Sequence, residues 1–216
     1  MPRTDRRRRY RAKHRTKIPE EVLPFKPLRA ESFYERFFIA PHRNVIKYLD
    51  AISKGKFKGV LIEIGPFEGK HFIQHFYKVK EVNIGGLDHH DLRGMASAFP
   101  QESWAKSRIV VGEIENAYLE WPNLQNRADG TVAISVFSSP TSSNSLNMLK
   151  GMNFILKQGG LALIAEIGDD VAHLPTNGMI TKAGFRLARI YAPSQYERIL
   201  HLVKEREAHI KGARVR

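Results

Sequence analysis

Residues Val60 to Lys70 read V-L-I-E-I-G-P-F-E-G-K, an apolar run followed by a turn that contains Gly65 and Gly69. A short apolar run bounded by turn residues is typical of a strand buried on both faces of a parallel sheet. Helical sequence follows the turn. In such a turn the glycines let the backbone approach a ligand, and the N-terminus of the helix offers it free N–H groups. The alternative is that both glycines only shape a strand-to-helix turn.

The sequence around this stretch alternates between strand-like and helix-like segments. This alternation predicts an α/β fold, with a seven-stranded, mostly parallel sheet and helices on both faces. The predicted strands are Gly59–Ile64, Val82–Leu87, Arg108–Val111, Thr131–Phe137, Leu161–Glu166, Phe185–Tyr191 and Arg198–Val203. The predicted helices cover residues 69–79, 91–99, 115–121, 143–157 and 173–183, and Gly159 and Gly160 close the fourth. A short connection through Pro193 joins the last two strands, so the last strand must be antiparallel to its neighbour.

Acidic residues follow the second and third predicted strands. The second strand ends in G-G-L-D with Asp88, and the third ends in V-V-G-E with Glu113. An acid at such a position can accept hydrogen bonds from ribose hydroxyls, as in dinucleotide-binding folds.

From Gly59 to Lys204 the sequence resembles the class I S-adenosylmethionine-dependent methyltransferases, which have a Rossmann-like fold. The family's first strand and turn read acid-x-Gly-x-x-x-Gly, and Glu63, Gly65 and Gly69 stand at these positions. Phe67 occupies the place of a frequent third glycine, and the O-methyltransferase-like branch tolerates an aromatic residue there. The segments L-K-Q-G-G-L and A-G-F match the turn before the family's fifth strand and the start of its sixth.

The resemblance implies S-adenosyl-L-methionine as the cofactor. Asp88 would hold its ribose, and Glu113 or the adjacent Ile114 would border the adenine. Pro66 removes one backbone donor from the turn. The residues expected to bind the cofactor are Glu63, Gly65, Phe67, Gly69, Asp88, Glu113 and Ser135.

The catalytic residues are not identified by the sequence. After the fourth strand it reads A-I-S-V-F-S-S-P-T-S-S-N-S, from Ala133 to Ser145, without the Asn/Asp-Pro-Pro-aromatic motif of adenine N-methyltransferases or the paired acids of metal-dependent O-methyltransferases. Methyl transfer to an already nucleophilic acceptor needs little beyond positioning, so neither absence excludes catalysis. The candidates here are Ser138, Ser139 and Glu166. Asn144 could contact substrate, or the whole loop could simply cap the next helix.

Metal binding is not expected. His71 and His75 share one helix face, and His89, His90 and Asp91 follow the second strand, but no third ligand stands at a fixed spacing. Satisfied or exposed histidines are the simpler interpretation.

The chain has 216 residues and a formal net charge of +13, most of it at the two ends. Residues 1–17 carry +8 and residues 198–216 carry +4, which leaves +1 for residues 18–197. Residues 1–17 are expected to form a disordered arm that binds nucleic-acid phosphates. RNA is favoured because no DNA-reading motif is present. The alternatives are a nuclear-type basic signal, a solvated tail and a mitochondrial presequence. A presequence should be amphipathic, and this stretch lacks an apolar face. The nucleic-acid-binding candidates are Arg6, Arg7, Arg8, Arg9, Arg11, Lys13 and Arg15.

Composition excludes several classes of protein. There is no cysteine, and therefore no disulfide, thiolate metal site or cysteine nucleophile of the cytosine-C5 type. No apolar run approaches the ~20 residues of a membrane span, and no secretory signal is present. We therefore expect a soluble intracellular protein, cytoplasmic or, in a eukaryote, nuclear. The expected organisation is a basic arm at 1–17, a linker with a helical lead-in from about Ser32 at 18–58, a methyltransferase-like domain at 59–204 and a basic tail at 205–216.

Three functions remain open at this point. The first is an S-adenosyl-L-methionine-dependent methyltransferase, a transferase that acts on RNA or on a ribonucleoprotein. The second is an inactive methyltransferase-fold protein that binds RNA or the ribosome through its arginine-rich arm. The third is a small-molecule or protein methyltransferase whose basic ends serve only localisation.

Overall fold

The computed structural model describes residues 40–55, 57–65, 82–88, 109–138, 144–194 and 197–209. Its seven strands form one sheet in the order β3-β2-β1-β4-β5-β7-β6. Their bounds are β1 Gly59–Ile64, β2 Val82–Asp88, β3 Ile109–Val111, β4 Ala128–Ile134, β5 Leu156–Ile167, β6 Phe185–Ser194 and β7 Glu197–Lys204.

The first five strands are parallel to one another, and β7 lies antiparallel between β5 and β6. The α/β class and the antiparallel last strand are as predicted. Because β1 to β5 point the same way, their carboxyl ends meet at one edge of the sheet, which we call the carboxyl edge. The opposite edge, where these strands begin and β7 ends, is the amino edge.

Four α-helices lie among the described residues. They are α1 Ala40–Ser53, α2 Ala117–Glu120, α3 Ser145–Ile155 and α4 Asn177–Lys182, and 3-10 turns cover Ile114–Asn116, Pro122–Leu124 and Gly168–His173. The helices predicted at 69–79 and 91–99, and the lead-in before Ala40, lie outside the described residues. Among the described helices, none is long and apolar enough to cross a membrane.

Several predicted boundaries were wrong. Strand β4 begins at Ala128 and not at Thr131, β5 begins at Leu156 and not at Leu161, and β6 ends at Ser194 and not at Tyr191. Helix α4 begins at Asn177 and not at residue 173.

The fourth strand ends at Ile134 and not at Phe137, because Ser135 has a φ of 54° and so leaves the extended conformation. Helix α3 ends at Ile155, and Gly159 and Gly160 lie within β5 instead of closing the helix. Leu156 is already extended and pairs with Ala128, so the glycines occupy an irregular start of the strand before Leu161 pairs with Gly130.

Helices cover both faces of the sheet. On one face, α1 buries Val45, Tyr48 and Leu49 completely against apolar residues of β1, β4, β5, β6 and β7. On the other face, Met148, Leu149 and Met152 of α3 pack against the same strands. Burial of each such side chain stabilises the fold by about 1.5–3 kcal/mol. The two helices thereby fix the positions of the strand ends.

Candidate functional site

Four of the residues expected to bind the cofactor lie at the carboxyl edge on consecutive strands. Glu63 is the penultimate residue of β1, where it pairs with Gly86 of β2 and Val132 of β4. Asp88 ends β2 in register with Val111 of β3, and Glu113 follows β3. Ser135 follows β4. The parallel topology thus brings together residues that are up to 72 positions apart in the chain.

The chain turns sharply immediately after β1 and β4. Gly65 has a φ of 65°, and its N–H donates a 2.8 Å hydrogen bond to the Leu87 carbonyl of β2. A Cβ at Gly65 would lie 2.8 Å from Cγ2 of Val136, so a side chain there is strained and crowded. Ser135 adopts a φ of 54° and donates its N–H to the Ala165 carbonyl at 2.8 Å. Each of these two turns is therefore anchored to the neighbouring strand by a backbone hydrogen bond.

The predicted cofactor residues differ in exposure. Glu63 is buried, with 1% of its surface exposed, whereas Glu113 and Ser135 are exposed. Ile114 is buried in the core, so Glu113 is the one of this pair that faces solvent. Asn116 holds Glu113 by a 3.2 Å hydrogen bond from Nδ2 to Oε2. Phe67 and Gly69 lie outside the described residues.

Glu166 and Ser138, two of the catalytic candidates, are in direct contact. Oε2 of Glu166 accepts a 2.9 Å hydrogen bond from the Ser138 hydroxyl, and Oε1 accepts one of 2.8 Å from the Phe137 N–H. Burial raises the pKa of Glu166 to about 7, against the lowering effect of these bonds, and Asp170 raises it further. Glu166 is completely buried, so in this arrangement it holds the turn after β4 in place. Ser139 lies outside the described residues.

Asn144 has the structural role that the sequence left open for it. Its side chain accepts hydrogen bonds from the N–H groups of Leu146 and Asn147 and caps α3. Substrate contact is therefore not needed to explain it.

The histidines considered as metal ligands lie outside the described residues, as do the seven basic candidates of the arm. No group of three or more His, Cys, Asp or Glu side chains suited to a metal occurs in the part of the chain that the structure describes.

Sequence reasoning missed a polar layer between α1 and β7. Asn44 donates a 2.9 Å hydrogen bond to Oε2 of Glu197, and the Tyr48 hydroxyl lies 2.8 Å from Nδ1 of His201. Burial raises the pKa of Glu197 to about 7, against the lowering effect of Asn44. Burial, together with the charges of Arg189 and Arg186, lowers the pKa of His201 to about 4. These partners are 153 residues apart, and no local pattern announces them.

Glu197 also shows where α1 begins. It lies opposite Ile167, the last residue of β5, and therefore at the carboxyl edge. Asn44 in the first turns of α1 contacts it, and Tyr48 contacts His201 further along β7. Helix α1 thus runs from the carboxyl edge towards the amino edge.

Several solved structures with this fold are methyltransferases, and the [4+2]-cyclase SpnF has the same fold, with a TM-score of 0.58 and 13% identity. The CurJ carbon methyltransferase matches with a TM-score of 0.61 and 13% identity over 77% of this chain and 55% of the other. A SAM-dependent methyltransferase from Aquifex aeolicus matches with a TM-score of 0.58 and 14% identity, over 79% of this chain and 92% of the other. A 16S rRNA adenine methyltransferase from Catenulisporales acidiphilia matches with a TM-score of 0.53 and 13% identity, over 72% of this chain and 90% of the other.

These likenesses concern the fold. The chain spans about half the length of the CurJ methyltransferase and of the citrinin synthase methyltransferase domain that it also matches. No family model and no curated protein matches the sequence. The structural matches alone show that the chain has the class I methyltransferase fold, which its sequence resembles.

Proposed function

We propose that this chain is an S-adenosyl-L-methionine-dependent methyltransferase that acts on RNA or on a ribonucleoprotein. The observation that carries the proposal is the row of Glu63, Asp88, Glu113 and Ser135 along one edge of this fold. In open α/β sheets, ligands bind in the crevice outside the carboxyl ends of the strands.

The residues at this edge fit such a cofactor. The Asp88 position suits an acceptor for ribose hydroxyls, and the exposed Glu113 suits the border of the base. Gly65 keeps the β1 turn free of side-chain atoms. The cofactor, when bound, supplies an activated methyl group. Glu63, Gly65, Asp88, Glu113 and Ser135 would hold it, with Phe67 and Gly69 expected from the sequence.

The turn after β4 would face the acceptor. Glu166 fixes this turn through Phe137 and Ser138. A rigid turn beside the cofactor supplies the positioning that methyl transfer chiefly requires. Ser138 and Ser139 are the side chains of this segment that could contact the acceptor.

The charge distribution supports RNA as substrate. Residues 1–17 carry +8, and arginine binds phosphate oxygens in a bidentate manner. Helix α1 begins at the carboxyl edge beside β5 and β7, on the same edge of the sheet as the proposed cofactor site. A 16S rRNA methyltransferase is among the proteins that share the fold.

Transfer of a radiolabelled methyl group from S-adenosyl-L-methionine to total cellular RNA, to protein and to a metabolite extract tests the proposal. We expect label in RNA or in ribonucleoprotein particles, and less label after deletion of residues 1–17. Label in metabolites alone, unaffected by the deletion, would contradict the assignment of RNA.

An inactive RNA-binding protein is the second candidate. It is favoured by the absence of an acceptor motif after β4 and by Pro66, which removes a backbone donor beside the cofactor turn. This candidate predicts salt-dependent RNA binding that residues 1–17 supply, without any methyl transfer.

A further inference from the structure

The amino edge carries exposed basic side chains at the ends of several elements. Lys58 precedes β1, Arg127 precedes β4 and Lys157 lies near the start of β5. Lys182 ends α4 just before β6, and Arg206 follows β7. All five are exposed, so the topology gathers cations that are scattered through the sequence on one edge.

Hydrogen bonds connect this edge along its length. Asp129 accepts from the N–H of Val60 and from Nζ of Lys157, each at 2.7 Å, which ties the starts of β1, β4 and β5 together. Lys204 donates to Oδ1 of Asn126 and to the Leu156 carbonyl, also at 2.7 Å each.

The segment after β7 continues the same connected surface. Gln158 donates to the Glu205 carbonyl, and the Arg206 guanidinium donates to the Thr181 carbonyl. The basic groups from Lys58 to Lys182 therefore lie on one continuous surface.

The acids on this surface are already paired. Asp129 binds Lys157, Glu205 binds Arg186 at 2.7 Å, and Glu207 binds Lys204 at 2.9 Å. Within the described ranges, no ion pair involves Lys54, Lys58, Arg127 or Lys182. In that part of the chain, no acid neutralises these four positive charges.

The carboxyl edge has the opposite character. Glu63, Asp88, Glu113, Glu166 and Glu197 stand at or just beyond strand ends there. Three of these acids, Glu63, Glu166 and Glu197, are buried, so the difference between the two edges rests chiefly on the exposed cations of the amino edge, which attract a polyanion.

We propose that the amino edge binds the phosphate backbone of RNA. This inference rests on the proposed RNA association. It places part of the RNA-binding surface on the folded domain, away from the cofactor site. A strand the length of β1, with 6 residues, separates the two edges by roughly 20 Å. The amino edge would anchor the RNA, while the segment before α1 acts at the carboxyl edge.

Binding of the full chain to fluorescein-labelled poly(U) at several salt concentrations tests this anchor. The test variant is Lys58→Gln/Arg127→Gln/Lys182→Gln. The control variant, Arg43→Gln/Lys150→Gln/Arg198→Gln, removes the same charge from other surfaces. We expect the slope of log K against log salt to fall in magnitude by about 2 in the test variant, since each single-strand phosphate contact contributes about 0.7. The control should change the slope by less than half as much.

Three results would overturn the inference. Equal changes of the salt slope in the test and control variants would show that RNA binding depends on net charge and not on the position of the charges. An unchanged slope in the test variant, with binding lost on deletion of residues 1–17, would place RNA on the arm and leave the proposed function standing. Wild-type chain that binds vesicles of anionic phospholipid but not poly(U) would remove both RNA assignments. Calorimetry of S-adenosyl-L-methionine binding, run on the same samples, reports separately on the cofactor site.

Discussion

Oε1 of Glu166 on β5 accepts a 2.8 Å hydrogen bond from the N–H of Phe137, 29 residues earlier in the chain, just beyond β4. The second oxygen of the same carboxylate holds the hydroxyl of Ser138. One buried side chain thereby fixes the turn that borders the proposed acceptor position. The predictions below begin with its titration.

Glu166→Gln should flatten the pH dependence of stability. The pKa of Glu166 is raised in the folded state from 4.5 to about 7, so the folded protein binds more protons than the unfolded chain between these values. The free energy of unfolding therefore falls as pH rises from about 4.5 to about 7. The contribution of this group is on the order of 3 kcal/mol. Urea unfolding at pH 5 and pH 8 should show a smaller difference for the variant, with exposed Glu120→Gln as the control. An unchanged difference would contradict the burial argument.

His201→Asn should change the pH dependence of stability in the direction opposite to Glu166→Gln. The pKa of His201 falls from 6.5 to about 4 on folding, so the unfolded chain binds the extra proton between these values. This group therefore destabilises the protein as pH falls from about 6.5 to about 4. We expect the change in stability from pH 7 to pH 5 to be more favourable in the variant than in wild type, as measured by thermal unfolding. An equal change in both proteins would show that folding does not lower the pKa of His201.

Lys204→Met should destabilise the fold strongly. The ammonium group is buried and donates to Asn126 and to the carbonyls of Asn153 and Leu156, which its removal would leave unsatisfied. We expect a loss of roughly 3 kcal/mol in denaturant unfolding. The control is Lys157→Met, which removes an exposed pair worth about 1 kcal/mol or less. Similar losses in the two variants would refute the special role of Lys204.

Two helical glycines should respond oppositely to alanine. A Cβ at Gly151 of α3 would overlap the Ile114 carbonyl oxygen, so Gly151→Ala must push α3 away from that turn. A Cβ at Gly178 of α4 would meet only Oγ1 of Thr176, at a comfortable 4.0 Å, and Gly178→Ala should stabilise the protein by about 0.5–1 kcal/mol. Thermal unfolding distinguishes them. A stable Gly151→Ala would mean that α3 packs less closely than described.

The sequence predicted the parts of this fold that depend on local pattern. The mostly apolar segment Gly59–Ile64 forms β1 with the predicted bounds, because such composition suits a strand buried on both faces of a sheet. The acids at or near the ends of β1, β2 and β3 were readable because each stands at the end of a strand-like segment. The end of β4 was not, because the left-handed conformation of Ser135 follows from its bond to Ala165 on another strand.

Long-range polar contacts were beyond sequence reasoning. Ser138 and Glu166 were both candidates, but their hydrogen bond depends on the register between β4 and β5. Lys204 reads as an ordinary basic residue at a strand end, and only the fold shows it to be buried. The cationic amino edge likewise depends on which strand ends the topology brings together.

Calorimetric titration of the full chain with S-adenosyl-L-methionine tests the central claim most directly. We expect saturable binding in the nanomolar-to-micromolar range, lost in Gly65→Arg because the side chain would fill the turn after β1. Gly159→Arg should bind as wild type does, since Gly159 also has a positive φ but lies near the amino edge with open space around it. Absence of binding by wild-type protein, or equal binding by both variants, would contradict a cofactor site at the carboxyl edge.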